Sequence, residues 1–340
     1  MTTPRRYWLA LHPDIQKPIG GAKQMHRFAE ALMSCGRQST LIQERADFHP
    51  GWFKSKVNTI SLTDWHQRSD LDPRKDMVVL PETFIPALHR YKPGLPKLIF
   101  NQNGSYSFGL KDGDGFPDTA EAVLKLYSHS DLAHVVCVSQ HDEQLLKQGF
   151  RLGSHRVSRL INAIETDVFR PGVSNKKRVL SFMPRKNSRD AAIVAALLHS
   201  QPWFAGWSLE PIQGLPQVEV ARKLQNSIGF LSFGHPEGFG LPLAEAAACG
   251  CALIGYSGLG GRELLTMAST QGVGWEVGYG DWQGFLDGTE ALIHAVQERP
   301  QTVVNQLQAL SDQVRQLYSW PAMVKSVEQA LLRWESQLPV

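Results

Sequence analysis

Two glutamates, Glu237 and Glu245, stand eight residues apart in HPEGFGLPLAEAAACG, the stretch from His235 to Gly250. The first falls in a glycine-rich loop after the apolar run Ile228 to Phe233. The second falls in a small-residue helix that opens near Pro242, whose missing N–H has no intrahelical partner in a first turn. Gly238 and Gly240 expose backbone donors on either side of Phe239, so the loop combines N–H groups with a carboxylate, as a polyhydroxylated ligand requires. A plain glycine turn before an alanine-rich core helix has the same composition, so this stretch alone leaves both readings open.

Two further places could meet an anion. Arg185 and Lys186, in MPRKNSRDA, end the apolar run Val179 to Met183 at a strand-to-helix switch. A guanidinium grips phosphate oxygens bidentately and a lysine adds a compact charge. Arg189 is a reserve candidate, because a cation in a first helical turn opposes the helix dipole. Gly20 and Gly21 precede a helix after the first strand, where the backbone can approach a ligand and the helix start favours negative charge. From the dipeptide alone, a turn needing positive φ is the better account of that pair.

The elements that must position these residues alternate along the chain. Tyr7 to Leu11 reads as a short buried strand, and Met25, Phe28, Ala29, Leu32 and Met33 mark one face of a helix ended by Gly36. The β-prone stretch Ser39 to Gln43 completes a βαβ opening. Strands are expected at Met77 to Leu80, Lys97 to Asn101 and Ala133 to Val138, with helices at Thr119 to His129 and Gln140 to Gln148, the latter capped by Ser139. Beyond the turn-rich, basic stretch Ile161 to Arg178, a second series follows. Its strands are expected near Val179 to Met183, Ile228 to Phe233, Cys251 to Tyr256 and Gly274 to Val277. Its helices are expected at Ser188 to His199, Pro216 to Gln225 and Leu241 to Gly250, and the last sixty residues read as mostly helical, ending with the amphipathic run Trp320 to Trp334. The expected fold is α/β: a Rossmann-like domain over 1–165, a second Rossmann-like domain over 166–319, and a C-terminal helix over 320–340.

Composition narrows the class. The 340 residues are 42% hydrophobic and 20% charged, which excludes a disordered or collagen-like chain. Cys35, Cys137, Cys249 and Cys251 form no CxxC pair and read as reduced thiols of a cytoplasmic protein. The apolar run at the start is too short for a signal peptide, and no run reaches membrane-spanning length. Net charge is +3, but residues 151–190 carry +7, which leaves −4 elsewhere. A diphosphate accounts for that bias as well as a nucleic acid does, and no nucleic-acid partner is expected. No metal is expected: Asp70-Leu71-Asp72 and Asp112-Gly113-Asp114 read as turns, and Phe116 spoils the calcium-loop start DGDGF.

EGFGLPLAEAAACG is similar to the Glu-x7-Glu signature of the retaining glycosyltransferases of group one, family four. PIGGAKQMHRFAEAL, INAIETDVFRPG and GLGGRELL resemble that family in the same order. The resemblance implies the GT-B fold, an acceptor-side domain over 1–165 facing a nucleotide-sugar domain over 166–319 across a cleft, with the helix over 320–340 packing back toward the first, and transfer of a hexose from a nucleotide diphosphate sugar with retention of configuration. It implies no cofactor, and as partners the donor and a glycan or lipid-linked acceptor. It implies donor-diphosphate and acceptor contacts for Gly20 and Gly21, and a diphosphate grip for Arg185. Glu237 is implied near the donor sugar beside the N–H groups of Phe239, Gly240 and Leu241, Glu245 on the nucleotide ribose, and Glu263 as a further family glutamate.

The sequence departs from the family in two places. Asp190 stands where a lysine usually follows the arginine, so Lys186 or Arg189 must serve. IFNQNGSYSF replaces an acceptor-side histidine with Asn101, Gln102 and Asn103, amides that cannot take a proton, and no general base is identified. Arg185, Lys186 and Glu237 are therefore the expected catalytic set. Competing readings are a noncatalytic sugar-nucleotide or polysaccharide-binding protein and a nucleotide-sugar epimerase. A nicotinamide enzyme is disfavoured because GLGGRE lacks the last glycine of GxGxxG. Lys23, His26 and Arg27 on the first helix could touch an anionic membrane peripherally or as easily form a solvated face.

Overall fold

The computed structural model describes residues 5–109, 120–173 and 176–338. The chain divides into two compact units, one of Met1–Asn162 with Pro321–Val340, the other of Ala163–Trp320.

Unit 1 is built on seven parallel strands: β1 (Arg6–Ala10), β2 (Gln38–Gln43), β3 (Asn58–Ser61), β4 (Asp76–Pro81), β5 (Lys97–Asn101), β6 (Leu132–Cys137) and β7 (Val157–Arg159). Their order is β3-β2-β1-β4-β5-β6-β7. Its helices are α1 (Gly20–Ser34), α2 (Leu62–Gln67), α3 (Ala120–Leu126) and α4 (Gln140–Gln144), with α11 (Trp320–Glu335) at the chain's end. The central strands are buried on both faces, as a parallel sheet covered by helices must be. α1 buries Met25, Phe28, Ala29 and Leu32, each large apolar side chain contributing about 1.5–3 kcal/mol. Met33, expected on that face, is 40% exposed, because a period of 3.6 carries it past the edge of the apolar stripe. Gly36 ends the helix at φ +76°, as its C′ position requires. Ser139 caps α4, its hydroxyl accepting from the Asp142 N–H.

Glu335 of α11 joins this unit's core at a polar contact. Arg37 donates two hydrogen bonds to it at 2.9 and 2.6 Å, and the Tyr7 hydroxyl donates at 2.6 Å while accepting from the Trp334 indole.

Unit 2 has five parallel strands, β8 (Lys177–Phe182), β9 (Ser208–Pro211), β10 (Ser227–Ser232), β11 (Ala252–Gly255) and β12 (Gly274–Glu276), in the order β12-β11-β10-β8-β9. Around them lie α5 (Ser188–His199), α6 (Gln217–Asn226), α7 (Leu241–Ala248), α8 (Arg262–Thr270), α9 (Trp282–Glu298) and α10 (Pro300–Leu317). The chain leaves β8 toward β9 on one side and returns to β10 on the other, so the loops after β8 and β10 diverge. That divergence is a topological switch point, where doubly wound sheets bind ligands.

Five of these elements escape the sequence reading: β3, α2, β7, β9 and α8. β3 and β9 are four-residue edge strands without a continuous apolar run, and α2 has one buried side chain, Trp65.

Candidate functional site

The switch point of unit 2 gathers the expected donor-side residues. A pocket there is lined by Arg185, Lys186, Gly234, Glu237, Gly240 and Pro242, among others. Arg185 is exposed. Lys186 places Nζ 2.9 Å from Glu237 Oε1 and donates to the Pro236 carbonyl at 2.7 Å. Asn187, in the left-handed region at φ 51°, starts α5 and donates its amide to the carbonyls of Phe233 and His235. The loop after β8 thus holds the loop after β10 through two consecutive side chains.

A second loop seats Glu237 from the other side. Its N–H donates to the Gly258 carbonyl at 2.7 Å, and its carbonyl accepts from Gly260 N–H at 2.9 Å. Three glycines make this approach possible. A Cβ on Gly258 would lie 2.6 Å from Glu237 Cβ, one on Gly260 would lie 2.0 Å from the Gly238 carbonyl oxygen, and one on Gly261 would lie 2.6 Å from that of Ser257. Gly258, Gly260 and Gly261 therefore belong to the site's construction. GLGGRE carried that signal, but a glycine cluster does not say which backbone it lies against.

Gly240 adopts φ +84° and serves as the N-cap of α7, with Pro242 in the first turn. The leading N–H groups of a helix have no intrahelical acceptor, so this end favours an anion or a hydroxyl-rich ligand. Phe239 is buried against Tyr318, with ring centroids 4.9 Å apart, which fixes the backbone of Gly238, Phe239, Gly240 and Leu241 beside Glu237. Glu245 follows on α7, half-buried between Ala244 and Ala246, both fully buried.

Asp190 belongs to a different network. Its carboxylate accepts from the Tyr256 hydroxyl at 2.8 Å, and that hydroxyl accepts from the Gly280 N–H at 3.1 Å. Burial, reinforced by Asp190, pushes the Tyr256 phenol up to about 12. Beside it Tyr279 stacks on His235 with centroids 4.3 Å apart. Burial and then Lys186 lower the His235 pKa, which keeps its ring neutral near pH 7. The local basic excess is partly structural: Lys176 donates to the carbonyls of Leu224 and Ser227, and Arg156 to that of Leu132.

In unit 1, Gly20 and Gly21 form the first turn of α1 instead of a loop before it, and neither has positive φ. Gly21 lies closely against Gln102, whose amide donates to the Gly21 carbonyl at 3.2 Å and whose Oε1 lies 3.3 Å from where a Cβ would stand. The three acceptor-side amides differ in fate. Asn101 is fully buried and donates to Ser107 and Tyr127, so it is not presented to a ligand. Asn103 is 6% exposed and caps the following turn by accepting from Ser105 N–H. Gln102 alone of the three remains beside the glycines. Sequence reasoning missed Glu82, a buried carboxylate at the end of β4 that accepts from the Gln102 N–H at 3.0 Å.

The basic face expected on α1 is absent. Lys23 and His26 are buried, and Arg27 pairs with Glu30 and donates to the Lys54 carbonyl, so these three side chains do not form an exposed basic stripe. Asp70 pairs with Arg6 and Arg68, and Asp72 with Arg74, as turn residues do. Asp112-Gly113-Asp114 and Phe116 lie outside the described residues. Among the described residues no cluster of three metal-ligating side chains occurs, and no helix is long and apolar enough to cross a membrane.

No family model matches the chain. A curated relative, the alpha-1,6-glucosyltransferase of Actinobacillus pleuropneumoniae serotype 7, is 27% identical over 168 residues, 48% of this chain and 46% of the relative. The chain's match thus spans about half the length of that protein. The structure of sucrose-phosphate synthase from Thermosynechococcus elongatus superposes with a TM-score of 0.72 at 13% identity, over 98% of this chain and 99% of the other. HepE of Anabaena in complex with UDP-glucose superposes with a TM-score of 0.68 at 11% identity, over 96% and 99%. The fold is that of the GT-B glycosyltransferases.

Proposed function

We propose that the protein transfers a hexose from a nucleotide diphosphate sugar to a hydroxyl-bearing acceptor, a glycan or a lipid-linked sugar, with retention of anomeric configuration and without a metal. The observation that carries this reading is the cluster of Arg185, Lys186 and Glu237 at the switch point of unit 2, beside the start of the helix that bears Glu245. Two cations and helix N–H groups suit a diphosphate, the loop carboxylate suits sugar hydroxyls, and a carboxylate one helical stretch further on suits a ribose. The relative's name specifies glucose and an α linkage, and HepE was crystallised with UDP-glucose.

In this reading the bond between the anomeric carbon and the leaving phosphate oxygen breaks as the acceptor oxygen bonds to the same face. The acceptor proton passes to that phosphate oxygen, so no protein base is needed. The protein's contribution is positioning and neutralisation of the charge that develops on the leaving diphosphate. Arg185 and Lys186 carry that charge, and Glu237 orients Lys186 and the donor sugar.

The test is to incubate the chain with UDP-, GDP-, ADP- and dTDP-hexoses and a panel of glycan and lipid-linked acceptors, with and without EDTA. The reading expects nucleotide release, an axial anomeric product by NMR from an axial donor, and rates unchanged by EDTA. Donor binding with no turnover across acceptors would favour the noncatalytic alternative, and a changed sugar still attached to its nucleotide would favour the epimerase.

A further inference from the structure

Glu82 follows β4 and is 3% exposed, yet among the described residues no cation pairs with its carboxylate. Its charge is met by backbone. It accepts from the N–H groups of Gln102 and Asn103 and from its own. Burial, reinforced by Asp142, raises its pKa to about 7. The Tyr127 hydroxyl, whose titration feels Glu82, is itself buried and hydrogen-bonded to Ser107 and Asn101. A buried carboxyl is costly, and apolar side chains would fill the same volume at less cost. Its position explains its presence, because, its own N–H apart, the backbone groups it holds belong to the 101–104 loop.

That loop has little freedom elsewhere. Asn103 caps the turn that follows, and a Cβ on Gly104 would meet Leu145 at 2.7 Å and Asp142 Oδ1 at 3.1 Å. At its other end the Gln102 side chain donates to the Gly21 carbonyl at the start of α1. Glu82, the Gln102 backbone, the Gln102 amide and Gly21 therefore form a continuous chain of contacts.

We propose that Glu82 is a positioning residue for sugar transfer: its buried carboxylate fixes the Gln102 backbone and so seats the Gln102 amide on Gly21. The proposal rests on the transferase reading above. Glu82 does not touch substrate, and it acts by setting where Gln102 and the first turn of α1 stand. Displacements of an ångström in a positioning group cost about 100-fold in rate, so the effect belongs in turnover.

The test compares the full chain with Glu82→Gln, Glu82→Asp, Gln102→Ala and the double variant Glu82→Gln/Gln102→Ala. UDP affinity is measured by calorimetry, and steady-state UDP release from UDP-glucose is followed with water or an added hydroxyl acceptor. Amide hydrogen exchange is followed over residues 18–25 and 101–109. The expected result for Glu82→Gln is a fall in kcat of about tenfold or more with KM for UDP-glucose unchanged, and no further loss on adding Gln102→Ala. Exchange should quicken in both stretches while UDP affinity stays at the wild-type value. Glu82→Asp, one methylene short of the loop, gives the same pattern and serves if the glutamine variant does not fold. A kcat within about twofold of wild type, additive losses in the double variant, or faster exchange at 101–109 with none at 18–25 would overturn the proposal. Absent binding and release by the wild type with UDP, GDP, ADP and dTDP and their hexoses alike would instead count against the transferase reading, and the exchange comparison would still decide the role of Glu82.

Discussion

Lys186 is tied to Glu237: its Nζ lies 2.9 Å from the carboxylate Oε1 and donates at the same time to the Pro236 carbonyl. One cation thus braces the loop that bears the glutamate while standing in the pocket beside Arg185. Replacing Lys186 with Met removes the charge and leaves Glu237 unpaired. A hydrogen bond to a charged group contributes about 1.5–3 kcal/mol, so UDP-sugar affinity should fall by about tenfold or more. Titration calorimetry checks this, and Lys186→Arg should recover part of the loss by supplying a charge.

Arg185 is exposed, so its removal should cost the fold little. In Arg185→Ala the thermal midpoint stays within a degree or two of wild type, while kcat falls by about 100-fold because charge on the leaving diphosphate goes uncompensated. Near-normal turnover in that variant would remove Arg185 from the mechanism.

Gly260 offers a steric test. An added methyl group would lie 2.0 Å from the Gly238 carbonyl oxygen, and both neighbours are backbone, so one loop must move. Gly260→Ala should lower stability by about 1–3 kcal/mol in a denaturant titration and reduce turnover more than Lys186→Met does.

The pH dependence of unit 1 has two opposing parts. Burial lowers His26 and His134 to about 3, with His49 adding to the effect at His26 and Arg156 at His134. Their unfolded pKa is near 6.5, so the stability they contribute is present above that value and is lost as pH falls toward 3. Glu82, raised to about 7 from 4.5, acts in the opposite sense: its contribution is full below 4.5 and is lost as pH rises through 7. Each unmatched proton is worth about 1.4 kcal/mol per pH unit. Between 6.5 and 4.5 the two histidines outweigh the one carboxyl, so unit 1 loses stability on acidification. In urea titrations Glu82→Gln should steepen that loss, and His134→Gln should shallow it.

The long apolar elements were legible because burial imposes a period: β5 and α5 lie where the pattern places them. Glu237 and Glu245 were legible because the glycines and the proline around them punctuate a strand, a loop and a helix start. Glu82 was not, since a lone glutamate after a strand gives no sign that the loop from 101 to 104, some twenty residues later, will close over it. Asn101 illustrates the converse. Its type suggested a ligand contact, but as the last residue of β5 its side chain falls on the inner face, where Ser107 and Tyr127 take its amide. Asp190 stands at a position where the family resemblance implied a lysine, and its role emerged only when α5 and the end of β11 brought it to Tyr256.

The central claim is that unit 2 holds a nucleotide diphosphate sugar between Arg185, Lys186, Glu237 and Glu245. The most direct test is the thermal midpoint of the purified chain against UDP, GDP, ADP, dTDP and their sugar conjugates, repeated with Glu245→Ala. A ligand present at 100 times its Kd adds about 2.7 kcal/mol to the folded state, a shift of about 5–10 °C for a unit of this size. The account predicts that shift for one nucleotide and its sugar conjugate, and its loss in Glu245→Ala. No shift with any nucleotide, or a shift that Glu245→Ala leaves intact, would contradict it.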